Sequence, residues 1–248
     1  MAGIVIVTGG SRGIGAATAL LAAARGYAVC VNYRSNAGAA KEVVSAITGG
    51  GGRAVAVQAD VALESDVVRL FQTCDTQLGP LTALVNNAGI LERQMRVEAI
   101  DAARLGRIFA VNVTGAFICA REAVKRMSTK RGGRGGVIVN VSSAASRIGG
   151  AEEYVDYAAS KGAMDTLTIG LAKEVATEGI RVNAVRPGVI RTEIHASGGE
   201  PGRVDRVKPS VPMQRGGEAD EVAKAILWLL SDEASYTTGA FVEVSGGR

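Results

Sequence analysis

The stretch that decides the fold is IVIVTGGSRGIG, residues 4–15, in which four apolar residues lead into a glycine-rich loop. The loop runs directly into an alanine-rich segment of helical composition. In such a unit of strand, loop and helix, glycines let the backbone turn tightly, and the N–H groups and dipole of the helix start attract a phosphate. Glycines also form ordinary turns, so it is the position of this loop after a strand that predicts a pyrophosphate site.

The alternation of strand and helix continues along the whole chain. Short, nearly continuous apolar runs are typical of strands buried on both faces of a parallel sheet; here they are IVIVT, AVCVNY, AVAVQ, ALVNN, GVIVNVS, IRVNAV and AFVEV. Helical composition and period mark residues 13–25, 37–47, 64–78, 104–127, 157–177 and 218–230. The sequence therefore predicts an α/β fold, a doubly wound Rossmann-like parallel sheet of about seven strands with helices on both faces, as one domain over residues 1–248.

Two connections between predicted strands and helices differ from the others. Residues 49–52 form a glycine-rich, flexible turn, and residues 192–217 form a connection that is long for a compact domain. The longer one is predicted to be a substrate loop or lid. Ligands of open parallel sheets bind beyond the carboxyl ends of the strands, so we expect the functional site at that edge.

Composition and charge narrow the class of protein. Hydrophobic residues make up 47% and charged residues 21% of the chain, which fits a globular domain and excludes global disorder. The net charge of +4 is mild, and the basic run KRMSTKRGGR at residues 125–134 has no interleaved aromatic residue. We interpret that run as a solvated helix end rather than a nucleic-acid surface, and we expect no nucleic-acid partner.

Targeting and cysteine patterns predict a cytoplasmic protein. The amino terminus, MAGIVIVTGG, lacks a basic leader region, and no stretch approaches about eighteen uninterrupted apolar residues, so no membrane association is expected. The three cysteines, Cys30, Cys74 and Cys119, sit singly in apolar or helical segments. They are interpreted as buried small hydrophobes of a reducing compartment, and no metal site is predicted.

The end of the second predicted strand indicates which dinucleotide binds. A carboxylate there would accept the ribose hydroxyls of NAD, whereas a basic residue favours the extra phosphate of NADP. This chain has Asn32, Tyr33 and Arg34 at that place, and Arg12 within the glycine loop. Because arginine binds phosphate through a planar fork, NADP(H) is the predicted cofactor. A solvated Arg34, with NAD(H) as cofactor, stays open as the alternative.

Five motifs in register resemble those of the short-chain dehydrogenase/reductase family in its compact, classical form. They are TGGSRGIG, Asp60-Val61, Asn86-Asn87-Ala88-Gly89, Pro187-Gly188 and the YxxxK pattern from Tyr157 to Lys161. They follow one another in the family's order, and the resemblance covers essentially the whole chain. The resemblance implies a dinucleotide site formed by Gly9, Ser11, Arg12, Ile14, Gly15, Arg34, Asp60, Val61, Asn87, Ala88, Gly89, Tyr157, Lys161, Pro187, Gly188, Val189, Ile190 and Thr192. Thr192 resembles the threonine that contacts the nicotinamide carboxamide.

The YxxxK pattern also has a direct chemical reading. Residues four apart share one helix face, so the Lys161 ammonium is expected beside the Tyr157 phenol, where a cation lowers the phenol pKa toward the working pH. Tyr157 is then the general acid/base for a carbonyl or alcohol substrate. The resemblance adds Ser143 as the hydrogen-bond donor to the substrate oxygen. It also adds Asn112 as the holder of a water beside the lysine, with local backbone hydrogen bonding as the alternative role.

Several nearby residues are ambiguous. Ser143 precedes Tyr157 by fourteen residues, one more than the family spacing, which predicts a one-residue insertion and leaves Ser142 as a weaker candidate. Tyr154 has Ala158 rather than a lysine four residues on, so it is interpreted as a pocket wall. The only histidine, His195, is predicted to be a solvated loop residue, with substrate contact as the alternative.

The main rival function is a non-catalytic nucleotide sensor or scaffold on the same fold. The complete set of Asn112, Ser143, Tyr157 and Lys161 argues against it, because a sensor needs no proton relay. A methyltransferase with a glycine loop for a different nucleotide is the third possibility, but Lys161 and the NNAG segment argue against it. The extended sugar-nucleotide epimerases need a further substrate domain, for which 248 residues leave little room.

The substrate and the assembly are less constrained. Four cations in the loop, Arg203, Arg206, Lys208 and Arg215, favour an anionic substrate such as an acyl thioester on a carrier, although loop cations are often simply solvated. Sugars, steroids and small ketones remain alternatives. Apolar residues on more than one side of helices 104–127 and 157–177 predict packing against another subunit. The resemblance implies a homotetramer.

Overall fold

The computed structural model describes residues 3–248 and shows alternating strands and helices. Met1 and Ala2, where the predicted domain begins, lie outside the described residues. The strands in chain order are β1 (Ile4–Val7), β2 (Ala28–Tyr33), β3 (Ala54–Gln58), β4 (Ala83–Asn86), β5 (Gly136–Val141), β6 (Ile180–Pro187), β7 (Ile190–Arg191), β8 (Gly217–Glu218) and β9 (Phe241–Val244). Seven of them form one parallel sheet in the order β3-β2-β1-β4-β5-β6-β9, while β7 and β8 pair separately. The predicted α/β parallel sheet is confirmed.

The helices connect these strands and cover both faces of the sheet. They are α1 (Gly13–Ala24), α2 (Ala37–Gly49), α3 (Glu64–Gln77), α4 (Ala102–Phe109), α5 (Gly115–Met127), α6 (Ala145–Ile148), α7 (Val155–Val175), α8 (Ile194–Ser197), α9 (Arg203–Val207) and α10 (Ala219–Leu230). Strand side chains alternate between two buried clusters. Ile6 and Leu84 pack with α3, α5 and α7, whereas Val7 and Val85 pack with α1, α2 and α10. This two-sided burial explains why the strands are apolar throughout.

The strand order reverses direction at β1, which lies between β2 and β4. Loops leaving the carboxyl ends of these strands diverge toward opposite faces, and a crevice opens between them. The glycine loop after β1 and the NNAG segment after β4 therefore face each other at the place where the sequence predicts a ligand.

Two predicted segments differ from the structure in detail. The single helix expected over 104–127 begins at Ala102 and is interrupted by a π-helical turn, Ala110–Thr114, between α4 and α5. The irregular loop expected over 192–217 contains α8, α9 and a short helical turn, Lys208–Ser210. Val204, Val207 and Val211 form a small core with Val189, which stabilises local helix in a segment whose sequence lacks helical period.

The remaining compositional predictions concern the cysteines and the basic run. Cys30, Cys74 and Cys119 are free and buried, as expected. The basic run begins at the end of α5, and two of its cations, Arg126 and Lys130, pair with acidic residues elsewhere in the chain. By length and apolar composition the helical stretch Ala102–Met127 could cross a membrane, a test that core helices also pass.

Candidate active site

The glycine loop after β1 leaves no room for side chains. Gly9 and Gly13 have φ angles of 60° and 53°, in the left-handed region that favours glycine. A Cβ at Gly15 would lie 2.3 Å from the carbonyl oxygen of Gly9. The backbone of this loop and the start of α1 therefore form an open cradle whose shape and helix dipole suit a pyrophosphate.

Side-chain amides hold this cradle against the neighbouring strands. The Thr8 hydroxyl accepts the backbone N–H groups of Asn87 at 2.9 Å and Ala88 at 3.0 Å, and the Asn87 amide donates to Thr8 O at 2.8 Å. Asn32 Oδ1 accepts Gly9 N–H at 3.1 Å, and Asn32 Nδ2 donates to Ala59 O at 2.9 Å. The sequence analysis did not predict this role of Asn32. The signal available was an amide side chain near the end of β2, where a carboxylate would indicate NAD.

One cavity of about 340 Å³ runs from this cradle to α7. It is lined by every residue predicted to contact the dinucleotide and by Ser143, whereas Asn112 lies behind the wall. Arg12 and Arg34 are exposed at the end of the cavity formed by the glycine loop and β2. Thr192 also lies against the glycine loop, because a Cβ at Gly13 would come 3.1 Å from the Thr192 methyl group. The shape and lining fit an extended dinucleotide.

Tyr157 and Lys161 face the cavity from α7. Lys161 Nζ lies 5.6 Å from the centre of the Tyr157 ring and donates to the carbonyl oxygen of Val141 at 2.8 Å. Burial raises the pKa of Tyr157 to about 12, while hydrogen bonding with Ser143 and the charge of Arg203 act in the opposite direction. Burial also lowers the pKa of Lys161 to about 8, and Asp165 acts to raise it.

The expected lowering of the Tyr157 pKa by Lys161 is therefore wrong for this structure. The ammonium points at the Val141 carbonyl rather than at the phenolic oxygen, and desolvation of the phenol outweighs the favourable charges around it. A phenol with a pKa of about 12 is protonated at neutral pH. In this state the phenol has a proton that it can donate.

The two candidate serines have different surroundings. Ser142 is buried, and its hydroxyl donates to Asp165 Oδ1 at 2.6 Å and to Lys161 O at 3.2 Å. Both serines line the cavity, but the Ser143 hydroxyl accepts only the Ala145 N–H, at 3.1 Å, and Ser143 acts to lower the pKa of Tyr157. The geometry thus favours Ser143 over Ser142 as the residue that reaches a substrate oxygen.

Asn112 lies in the π-helical turn and is buried. Its Oδ1 accepts Ile90 N–H at 2.8 Å, and its Nδ2 lies 3.0 Å from Ile90 O and 3.1 Å from Ser160 Oγ. These contacts correspond to the alternative role given from the sequence, in which Asn112 hydrogen-bonds nearby backbone. Asn112 still lies close to the lysine, because a Cβ at Gly89 would come 3.5 Å from Asn112 Oδ1 and 3.6 Å from Lys161 Nζ.

The prediction that His195 is a solvated loop residue is wrong. This residue is buried rather than solvated, because the segment around it folds into α8 and its Nε2 lies 2.9 Å from Ile190 O. The carbonyl can only accept, so Nε2 carries a proton, and burial lowers the pKa of His195. Tyr154 is buried beneath Arg203, whose guanidinium carbon lies 4.7 Å from the centre of the Tyr154 ring. Tyr154 also lines the cavity, as a pocket wall does. Among residues 3–248 no group of His, Cys, Asp and Glu could hold a metal ion.

Comparisons with known proteins agree with this architecture. A family model described as enoyl-(acyl carrier protein) reductase matches residues 9–248. The Escherichia coli protein named uncharacterized oxidoreductase YgfF is 64% identical over 245 residues, which cover 99% of both chains. A solved short-chain dehydrogenase/reductase mutant from Serratia marcescens gives a TM-score of 0.91 at 34% identity, over 98% of this chain and 96% of that one. A solved short chain dehydrogenase from Burkholderia cenocepacia, in complex with NADP, gives 0.90 at 32% identity over the same shares.

Proposed function

Because the chain belongs to the short-chain dehydrogenase/reductase family of oxidoreductases, we propose that it transfers a hydride between NADP(H) and a carbonyl or secondary alcohol carbon, with Tyr157 as acid/base. The observation that carries this proposal is the shared cavity, in which Tyr157 and Ser143 face the space that begins at the glycine loop. Bound there, the nicotinamide supplies or accepts the hydride.

The chain's own residues handle the proton. In the reductive direction the protonated Tyr157 phenol gives its proton to the carbonyl oxygen, and in the oxidative direction the phenolate takes it from the alcohol. The Ser143 hydroxyl donates a hydrogen bond to the oxygen on which negative charge develops. Lys161 is cationic below about pH 8, and its ammonium, which lines the cavity, would donate hydrogen bonds to the ribose of a bound dinucleotide.

The direct test is consumption of NADPH with a panel of aldehydes and ketones. Tyr157→Phe is expected to lower the rate by ~10²–10⁴-fold, because the phenol supplies the transferred proton. NADPH binding, measured by fluorescence titration, should survive. Tyr236→Phe is the matched control, since it removes the same hydroxyl from an exposed tyrosine outside the cavity. If wild type binds NADPH but turns over nothing in a broad panel, the sensor function replaces this proposal.

The preference for NADP(H) rests on Arg12 and Arg34. Both exposed guanidinium groups line the adenosine end of the cavity, where no carboxylate follows β2. Charge-assisted hydrogen bonds contribute ~1.5–3 kcal/mol, so Arg34→Gln should raise the KM for NADPH by ~10–100-fold and leave that for NADH unchanged. A clear preference of wild type for NADH would contradict the proposal.

The substrate we propose is a small carbonyl compound or the corresponding alcohol. The loop cations that favoured an acyl carrier from the sequence are paired within the chain: Arg203 and Arg206 with Glu153, Lys208 with Asp205, and Arg215 with Glu221. Their charge is therefore largely compensated, which weakens the case for an anionic carrier. Comparing a free ketone with its acyl-carrier thioester at equal concentration tests this choice.

A homotetramer in the cytoplasm completes the proposal. Leu105 and Phe109 on α4, Phe117 on α5 and Ile169 on α7 are exposed apolar side chains on the helices predicted to pack against another subunit. A monomeric mass by light scattering would refute the assembly. Fractionation of cells expressing the protein tests the location.

A further inference from the structure

The backbone of Tyr157 is held by an unusual cap. Tyr157 lies in the first turn of α7, where backbone N–H groups have no acceptor within the helix. The residue before the helix, Tyr154, supplies no side-chain capping bond. Instead, Asp156 Oδ1 accepts the N–H of Tyr157 at 2.8 Å. The carboxylate adjacent in sequence therefore ties down the residue that carries the phenol.

Arg104 in turn holds Asp156. Arg104 Nε lies 2.5 Å from Asp156 Oδ2, and the two side chains are only 5% and 0% exposed. Arg104 Nη1 donates to the carbonyl oxygen of Arg93 at 2.7 Å, in the segment that follows the NNAG motif. A second bond, from Met95 N–H to Glu153 O at 3.0 Å, joins that segment to the chain just before α7. Arg104 thus connects α4, this segment and the first turn of α7.

Stability alone does not account for this pair. A buried ion pair loses hydration that its attraction only partly restores, so packed apolar side chains are often as stable. Arg104 Nη2 is also buried without a hydrogen-bond partner among residues 3–248, which adds a further cost. Two fixed charges do provide a single, rigid geometry, because each guanidinium bond has a defined direction.

We propose that Arg104 and Asp156 are positioning residues for Tyr157, which set the orientation of the first turn of α7 and thereby the phenol relative to Ser143 and Lys161. The inference rests on the proposed function. Neither side chain lines the cavity, so both act through the Tyr157 backbone rather than by touching substrate. Since a displacement of about 1 Å can cost ~10²-fold in rate, loss of the cap is expected to lower kcat strongly.

The test compares three variants whose effects on capping and on charge pairing differ. Asp156→Ala removes the cap and leaves Arg104 as an unpaired buried charge. Arg104→Met combined with Asp156→Ala also removes the cap but leaves no unpaired charge, so this variant keeps the test valid if the first one unfolds. Asp156→Asn keeps an acceptor oxygen for the Tyr157 N–H. Arg126→Met is the control, since it breaks a half-buried ion network on α5 away from the cavity.

We expect kcat to fall whenever the Tyr157 N–H loses its acceptor. We expect the melting temperature to fall whenever a buried charge is left unpaired. Both variants that lack the cap should lose ~10²-fold in kcat, with Kd for NADPH unchanged, while Asp156→Asn recovers most of the rate. The double variant should melt higher than Asp156→Ala. The inference is overturned if kcat in the double variant matches that of Arg126→Met, or if kcat and NADPH affinity fall together. Absence of turnover in wild type would instead defeat the proposed function.

Discussion

Replacing Gly15 with alanine is expected to weaken NADPH binding, because the added methyl group has no space in the glycine loop. The Cβ would lie 2.3 Å from the carbonyl oxygen of Gly9 and 2.5 Å from Asn87 Nδ2. The first atom belongs to a backbone already in the left-handed region. The second is held by its hydrogen bond to Thr8 O at 2.8 Å. The loop must therefore shift away from the position that forms the phosphate cradle.

The size of the effect follows from the cost of overpacking. Forcing a methyl group into a closely packed site costs ~1–3 kcal/mol. If that cost falls on the bound state, Kd for NADPH rises by ~5–100-fold; if it falls on folding, the free energy of unfolding drops by the same amount. Fluorescence titration and urea denaturation measure the two quantities separately.

Gly170→Ala is the matched control for Gly15→Ala. Gly170 lies in the interior of α7, and its Cβ would meet no atom within 4 Å. Alanine is expected to stabilise that helix by ~0.5–1 kcal/mol and to leave NADPH affinity unchanged. A Gly15→Ala protein that binds NADPH as wild type does and unfolds at the same urea concentration would refute the packing argument.

Three further outcomes are expected. The kcat/KM of carbonyl reduction should decline above about pH 8, where Lys161 loses its proton in the free protein; an unchanged rate up to pH 10 would contradict this. Folded Lys161 releases its proton near pH 8 and an unfolded lysine near 10.5, so the free energy of unfolding should gain a rising contribution between these values, which Lys161→Met removes in urea titrations at several pH values. Asn112→Ala leaves the Ile90 N–H without its acceptor, and urea denaturation should show a loss of ~1–3 kcal/mol.

The sequence was most informative about strands that are buried on both faces of the sheet. A strand covered on both faces must be apolar at every position, so runs such as Ala28–Tyr33 could be recognised without knowing their partners. The residues of motifs that line the cavity, among them Gly15, Tyr157 and Lys161, could be brought together from the sequence because backbone turns and the helical repeat fix their spacing.

Features that depend on contacts between distant segments could not be predicted. His195 looked like a solvated loop residue because its burial comes from α8 folding over Ile190 O, which local sequence does not reveal. The pair of Arg104 and Asp156 joins residues 52 positions apart. The pKa of Tyr157 was wrongly expected to fall, since the sequence shows the nearby lysine but not the desolvation that outweighs it.

The most direct measurement follows deuterium from the nicotinamide to the product. NADPH deuterated at the transferring position of C4 is incubated with an accepted ketone and either wild type or Tyr157→Phe, and the alcohol is analysed by mass spectrometry. One deuterium on the carbinol carbon is expected with wild type, and ~10²–10⁴-fold slower product formation with a Tyr157→Phe protein that still binds the dinucleotide. Product without deuterium, or equal rates from the two proteins, would contradict hydride transfer assisted by the Tyr157 phenol.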